Sequence, residues 1–174
     1  LLWEPSIEFA MTSKFVIGID LGTTNSVLAY APLGAEHPEL SVLPLPQLTG
    51  PATVESRTSL PSFLFLGTEG EAASGNLSLP WMPQATWAVG EFARRQAAEL
   101  PQRTIGAAKS WLCHSRVDRH QPILPWNAPQ DIPKISPVTA ARRYLEHMIA
   151  AWQQAFPDVP FSEQTKAFGD NKEA

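Results

Sequence analysis

FVIGIDLGTTNSVLAY, residues Phe15 to Tyr30, reads as a strand, a tight turn and a second strand with a carboxylate closing the first. Phe15, Val16, Ile17 and Ile19 form an apolar, partly β-branched run that suits a buried strand. Leu21-Gly22 opens the turn, and extended structure resumes at Ser26-Val27-Leu28-Ala29-Tyr30. Glycine lets the backbone turn without a Cβ clash and lets a ligand approach closely. Successive N–H groups in such a turn, with the hydroxyls of Thr23, Thr24 and Ser26, make a concave cradle for phosphate oxygens. Asp20 is then placed to hold a hydrated Mg²⁺, a cation that takes a carboxylate or two and keeps several waters. The same residues also suit an ordinary hairpin whose aspartate and threonines satisfy a turn.

No Gly-Lys-Ser/Thr follows, so this is not a Walker A loop. IGIDLGTTNS resembles the first phosphate-binding hairpin of the actin-like ATPase superfamily, and among its members is most similar to DnaK-type chaperones, the seventy-kilodalton heat-shock family.

A second block carries the resemblance further: TWAVGEFARRQAAELPQRTIGAAKSWLCH, residues Thr86 to His114. Trp87-Ala88-Val89 reads as a short strand, and Gly90 starts a helix that Pro101 stops. Thr104 is expected to cap a second short helix, with Ile105, Ala108 and Leu112 on one face. Lys109 follows Ala108 and points to one side of that face. On residue pattern alone such a lysine is solvated. The order Val89-Gly90, Ala93 to Ala97, Pro101-Gln102, Thr104-Ile105 and Ala108-Lys109 is similar to a segment of the chaperone family. That segment ends in a lysine that reaches the γ-phosphate and its attacking water. The resemblance therefore implies that Lys109 stabilises negative charge as a phosphoryl group is transferred. It also implies that Gly22, Thr23, Thr24 and Asn25 cradle phosphate and that Asp20 holds the Mg²⁺ of bound ATP.

The chain has 174 residues, enough for one domain and a sizeable core. Hydrophobic residues make up 44% and charged residues 17%, which excludes a disordered chain. A net charge of −4 without a basic cluster argues against a nucleic-acid surface. One cysteine, Cys113, excludes an intramolecular disulfide framework and fits a reducing, cytoplasmic compartment. No apolar run approaches a membrane span, and the N-terminus lacks a secretory signal's pattern.

Along the chain, residues 1–10 precede Met11 and read as a leader, with Met11 the expected natural start. Leu40 to Leu48 suits an edge strand, because Pro44 and Pro46 interrupt the donors. Ser59 to Leu66 suits a strand ended by Gly67, and in the chaperone family a strand with a Pro-Ser pair lies at about this place. Residues 67–85, rich in Gly, Ser and Pro, read as a surface loop, with Trp81 and Met82 a local staple or a contact surface. Cys113, His114 and His120 lack the second pair of a zinc site and read as a buried thiol and surface imidazoles. Ser136 and Pro137 start a helix that runs to about Ala155. Its apolar stripe is expected at Val138, Ala141, Leu145, Met148 or Ile149, Trp152 and Phe156. In the family a long helix lies here, crossing over before the next sheet strand. Residues 165–174 read as a frayed polar tail.

The expected fold is therefore α/β: the first lobe of an actin-like, ribonuclease H-like ATPase, with a mixed sheet and packed helices over residues 11–164, truncated within that lobe. The resemblance implies ATP binding and hydrolysis by a molecular chaperone that assists protein folding. Its partners would be unfolded polypeptide clients and cochaperones, reached through further domains, with no nucleic acid and no membrane. A carbohydrate kinase of the same superfamily and a non-catalytic scaffold lobe are the alternatives. Where known members continue with arginine and a Leu-Ile-Gly run, this chain has Ser110-Trp111-Leu112-Cys113-His114.

Overall fold

A computed structural model of the protein describes residues 13–167. The leader and the last seven residues of the expected tail lie outside the described residues. The hairpin forms as its sequence requires: β1 (Phe15–Leu21) and β2 (Asn25–Pro32) pair antiparallel, from Phe15 opposite Pro32 to Leu21 opposite Ser26. β3 (Ser41–Val42) lies along the outer side of β2. Thr165–Ala167, expected to fray, is instead strand β10, parallel to β1 with Val16 opposite Thr165. The sheet order β10-β1-β2-β3 therefore makes β1 a central strand. Its polar neighbour is held by side chains: Gln164 Oε1 accepts from the amides of Lys14 (2.8 Å) and Phe15 (3.0 Å).

The expected strand over Ser59 to Leu66 divides. β6 (Leu60–Pro61) pairs with the start of β2, and β7 (Phe63–Leu66) is the centre of a second, antiparallel sheet between β8 (Trp87–Val89) and β9 (Thr104–Gly106). Thr104 thus pairs in a strand rather than capping a helix. The edge offered by Phe63, Leu64 and Phe65 outweighs its capping preference, and Thr-Ile is itself a β-branched pair. Its hydroxyl turns back to donate to the Leu100 carbonyl at 3.1 Å. β4 (Leu45–Gly50) and β5 (Thr53–Arg57) make a separate hairpin. The chain is an α/β protein with one mixed sheet, antiparallel sheets and packed helices.

The loop expected over 67–85 contains helix α1 (Glu69–Ser74), closed by a capping box between Thr68 and Glu71 and ended by Gly75 at φ 75°. After it, Leu77, Leu79 and Ala85 are buried with Phe65, Phe92 and Ala93 in a core of their own. Leu79 and Met82 exchange backbone hydrogen bonds of 3.1 and 2.9 Å, which folds the Trp81-Met82 corner into a staple. Helix α2 (Glu91–Glu99) begins after Gly90 as expected, and its missing cap is supplied from a distance. Gln47 Oε1 accepts from the Glu91 amide at 2.9 Å, and a Cβ on Gly90 (φ 92°) would sit 2.5 Å from that oxygen.

Helix α4 (Pro137–Ala155) starts at the Ser136 cap and packs across the first sheet. Met148 and Trp152 of its expected stripe are buried, but the rest of the buried face is turned to Ala140, Tyr144, His147 and Ala151, while Ile149 is exposed. The shift brings a tyrosine and a histidine inward in place of Val138, Ala141 and Leu145. His147 is buried and its Nε2 donates to the Pro46 carbonyl at 2.9 Å. Burial pushes its pKa down from 6.5 to about 4, against the smaller opposing effect of that hydrogen bond. Between those values the unfolded chain binds the proton and the folded one does not, so stability falls as pH drops from about 6.5 towards 4 and the effect vanishes above 6.5. Thermal melts across that interval should show the decline, and a His147→Gln variant should show a flatter slope.

Candidate functional site

Residues 22–25 join Leu21 to Ser26 at the tip of the β1–β2 hairpin. Thr23, Thr24 and Asn25 are exposed there, and Gly22 is half-buried. Gly22 is demanded by sterics rather than by a left-handed backbone. A Cβ on it would lie 2.1 Å from the Asn25 carbonyl oxygen, so every other residue would break the turn. Asp20 is exposed at the end of β1. Because alternate strand residues face opposite ways, it lies on the face away from Ile19 and Leu21. On that face Gly18 has open space, with no atom within 4 Å of an added Cβ.

The turn is braced from behind by Ser62, the serine of the Pro61-Ser62 pair. Its hydroxyl donates to the Gly22 carbonyl at 2.7 Å, and its amide donates to the Thr24 carbonyl at 2.9 Å. The Ser26 hydroxyl lies 3.1 Å from that of Ser62. Ser62 has one proton and gives it to Gly22, so Ser26 is the donor in the serine pair. Both hydroxyls are buried. No local sequence pattern marks Ser62 for this role; β6 carries it there by pairing Pro61 with Asn25.

Lys109 is exposed on α3 (Ala108–Leu112), a single short helix entered through Ala107 at φ 52°. It makes no ion pair or hydrogen bond among the described residues. With Leu112 it lines a cavity of about 120 Å³ whose other walls are Leu21, Gly22, Ser26, Ser62, Ala141 and Tyr144. The two sequence blocks thus meet: Gly22 and Lys109, far apart along the chain, border one space. Asp20, Thr23, Thr24 and Asn25 are not among the residues that line it. Thr23, Thr24 and Asn25 follow Gly22 at the hairpin tip, whereas Asp20 lies on the face of β1 opposite the cavity wall formed by Leu21.

Beyond Lys109 the divergent segment builds an aromatic stack. Trp111 stacks on Trp126 at 5.1 Å between ring centroids and on His114 at 5.6 Å. Cys113, expected to be buried, is exposed, because α3 ends at Leu112 and the chain turns outward. Among the described residues no three His, Cys, Asp or Glu side chains gather where they could share a metal ion. A carboxylate standing alone, like Asp20, suits only a cation that keeps most of its water. Among the same residues no helix is long and apolar enough to cross a membrane.

No family model matches the chain, and no curated protein matches it.

Proposed function

We propose that this chain is the first lobe of the nucleotide-binding domain of a DnaK-type chaperone, an actin-like ATPase that couples ATP hydrolysis to holding unfolded polypeptide. The observation that carries the reading is the cavity shared by Gly22 of the phosphate hairpin and Lys109. A chance hairpin and a solvated lysine have no reason to border one space. The parallel strand β10, reached through α4 and laid beside β1, supports it as well, since the resemblance implies a crossover helix before the next sheet strand. Unfolded clients and cochaperones are partners of the whole protein in this reading.

The residues fit a phosphate chain. The turn leaves Thr23, Thr24 and Asn25 exposed, and Gly22 carries no Cβ to block the backbone. Mg²⁺, when bound, neutralises phosphate charge, and the exposed carboxylate of Asp20 fits a cation held mainly through its own waters. Lys109 supplies the positive charge on the other side of the turn, where negative charge builds on the transferring group. Asp20→Asn removes charge from bound and reacting states alike. It is expected to weaken Mg-dependent ATP binding by roughly tenfold, about 1.4 kcal/mol, and to leave binding without Mg²⁺ unchanged. Calorimetric titration of the variant with and without Mg²⁺ checks this. Equal affinities for variant and parent in Mg²⁺ would remove Asp20 from the site.

A further inference from the structure

Tyr144 is spare in a place where spare donors are costly. It lies on the inward face of α4, 3% exposed, and lines the cavity behind the hairpin turn. Its hydroxyl is buried and meets no hydrogen-bond partner among the described residues. A buried hydroxyl left unpaired is disfavoured, and a phenylalanine would fill the same space without that penalty. The neighbouring hydroxyls cannot satisfy it by donating: the Ser62 proton goes to the Gly22 carbonyl and the Ser26 proton to Ser62. The uncommitted donors around this cavity are therefore the Lys109 ammonium and the Tyr144 hydroxyl. Burial pushes the phenol's pKa well above its ordinary value, so it keeps its proton through the neutral range.

We propose that Tyr144 is a second donor of the phosphate site: its hydroxyl, together with the Lys109 ammonium, takes an oxygen of a phosphoryl group that enters the cavity behind the turn. The assignment rests on the phosphate-binding reading above. A volume of about 120 Å³ equals roughly four waters at ~30 Å³ each, the scale of a phosphoryl group and not of a whole nucleotide. The two donors differ in what they give up. Lys109 is exposed and exchanges a water for the ligand, so its contact adds little to ground-state affinity. Tyr144 exchanges nothing, so its bond counts in full. Tyr144 and Lys109 are thereby separable by experiment, the first in affinity and the second in rate.

The chain contains two tyrosines, which makes the test direct. With ¹³C at the tyrosine Cζ, Tyr144 reports hydrogen bonding of its own hydroxyl and Tyr30 serves as the internal control. The full chain is titrated with Mg-ATP to millimolar concentration while ³¹P resonances report occupancy. The expected result is a Tyr144 signal that moves with occupancy, a Tyr30 signal that does not, and about tenfold weaker Mg-ATP binding in Tyr144→Phe. Tyr144→Phe should melt at or above the temperature of the parent chain, since it removes an unpaired buried group. A Tyr144 signal that stays fixed while the ³¹P resonances saturate overturns the proposal and leaves the phosphate reading standing. Phosphorus resonances that never shift overturn both. The chemical-shift readout uses the unaltered chain, so it decides even where the substitution disturbs folding.

Discussion

On the proposed ATPase reading, replacing Lys109 by alanine is expected to slow single-turnover ATP hydrolysis by about a hundredfold or more, on the order of 3 kcal/mol. ATP affinity should stay close to that of the parent. The side chain is exposed, borders the cavity that Gly22 borders, and is engaged by no carboxylate among the described residues. Its charge is therefore available to phosphate oxygens rather than spent on a partner. A donor whose interaction strengthens as charge develops lowers the barrier without tightening the ground state. A solvated lysine would change the rate by less than about twofold, since surface substitutions away from such features are within about 0.5 kcal/mol. An unchanged single-turnover rate would return Lys109 to the surface and leave the hairpin without its catalytic partner.

Trp152→Ala should cost about 3–5 kcal/mol of folding stability, the range for emptying a large buried aromatic site. Trp152 is fully buried at the end of α4, and its indole N–H donates to the Val159 carbonyl at 2.8 Å. Its ring meets Phe15 at 5.6 Å, Tyr30 at 5.4 Å and Phe156 at 4.4 Å between centroids. Phe15 and Tyr30 belong to β1 and β2, the two strands of the hairpin, so the cavity left behind loosens its base. Trp126→Ala is the matched control, at 53% exposure with one ring stacked on it, and should cost about 1 kcal/mol or less. Urea denaturation of the two variants measures the contrast. A Trp152→Ala midpoint as little changed as that of Trp126→Ala would show that the aromatic cluster does not hold α4 to the sheet.

What could be read from the sequence was what local chemistry decides. The β1–β2 hairpin, the start of α2 at Gly90 and the Ser136-Pro137 start of α4 each follow from short-range signals. Helix α1 was equally legible, since Thr68 and Glu71 have the spacing of a capping box. The glycines and prolines around it masked that signal. Other elements depend on distant partners. Thr165-Lys166-Ala167 has no strand pattern of its own and is extended because β1 offers it an edge. Thr104 has the chemistry of a cap and pairs in a strand because β7 is beside it. Of the site, Gly22 and Lys109 came from pattern and resemblance. Ser62 and Tyr144 were missed, because a serine that braces a turn and a phenol without a partner are recognisable only in three dimensions.

The parallel pairing of β10 with β1 also has a consequence for the order in which this protein is made. β1 leaves the ribosome well before its neighbour: the strand that closes its outer edge, and the Gln164 amide that fastens Lys14 and Phe15, lie about 150 residues later. At synthesis rates of roughly 5–20 residues per second, that delay is on the order of ten seconds. Throughout it the nascent chain presents an apolar strand with one open edge, the kind of surface to which other strands add. The β1–β2 hairpin can form at once, but the sheet that steadies it waits for Thr165–Ala167.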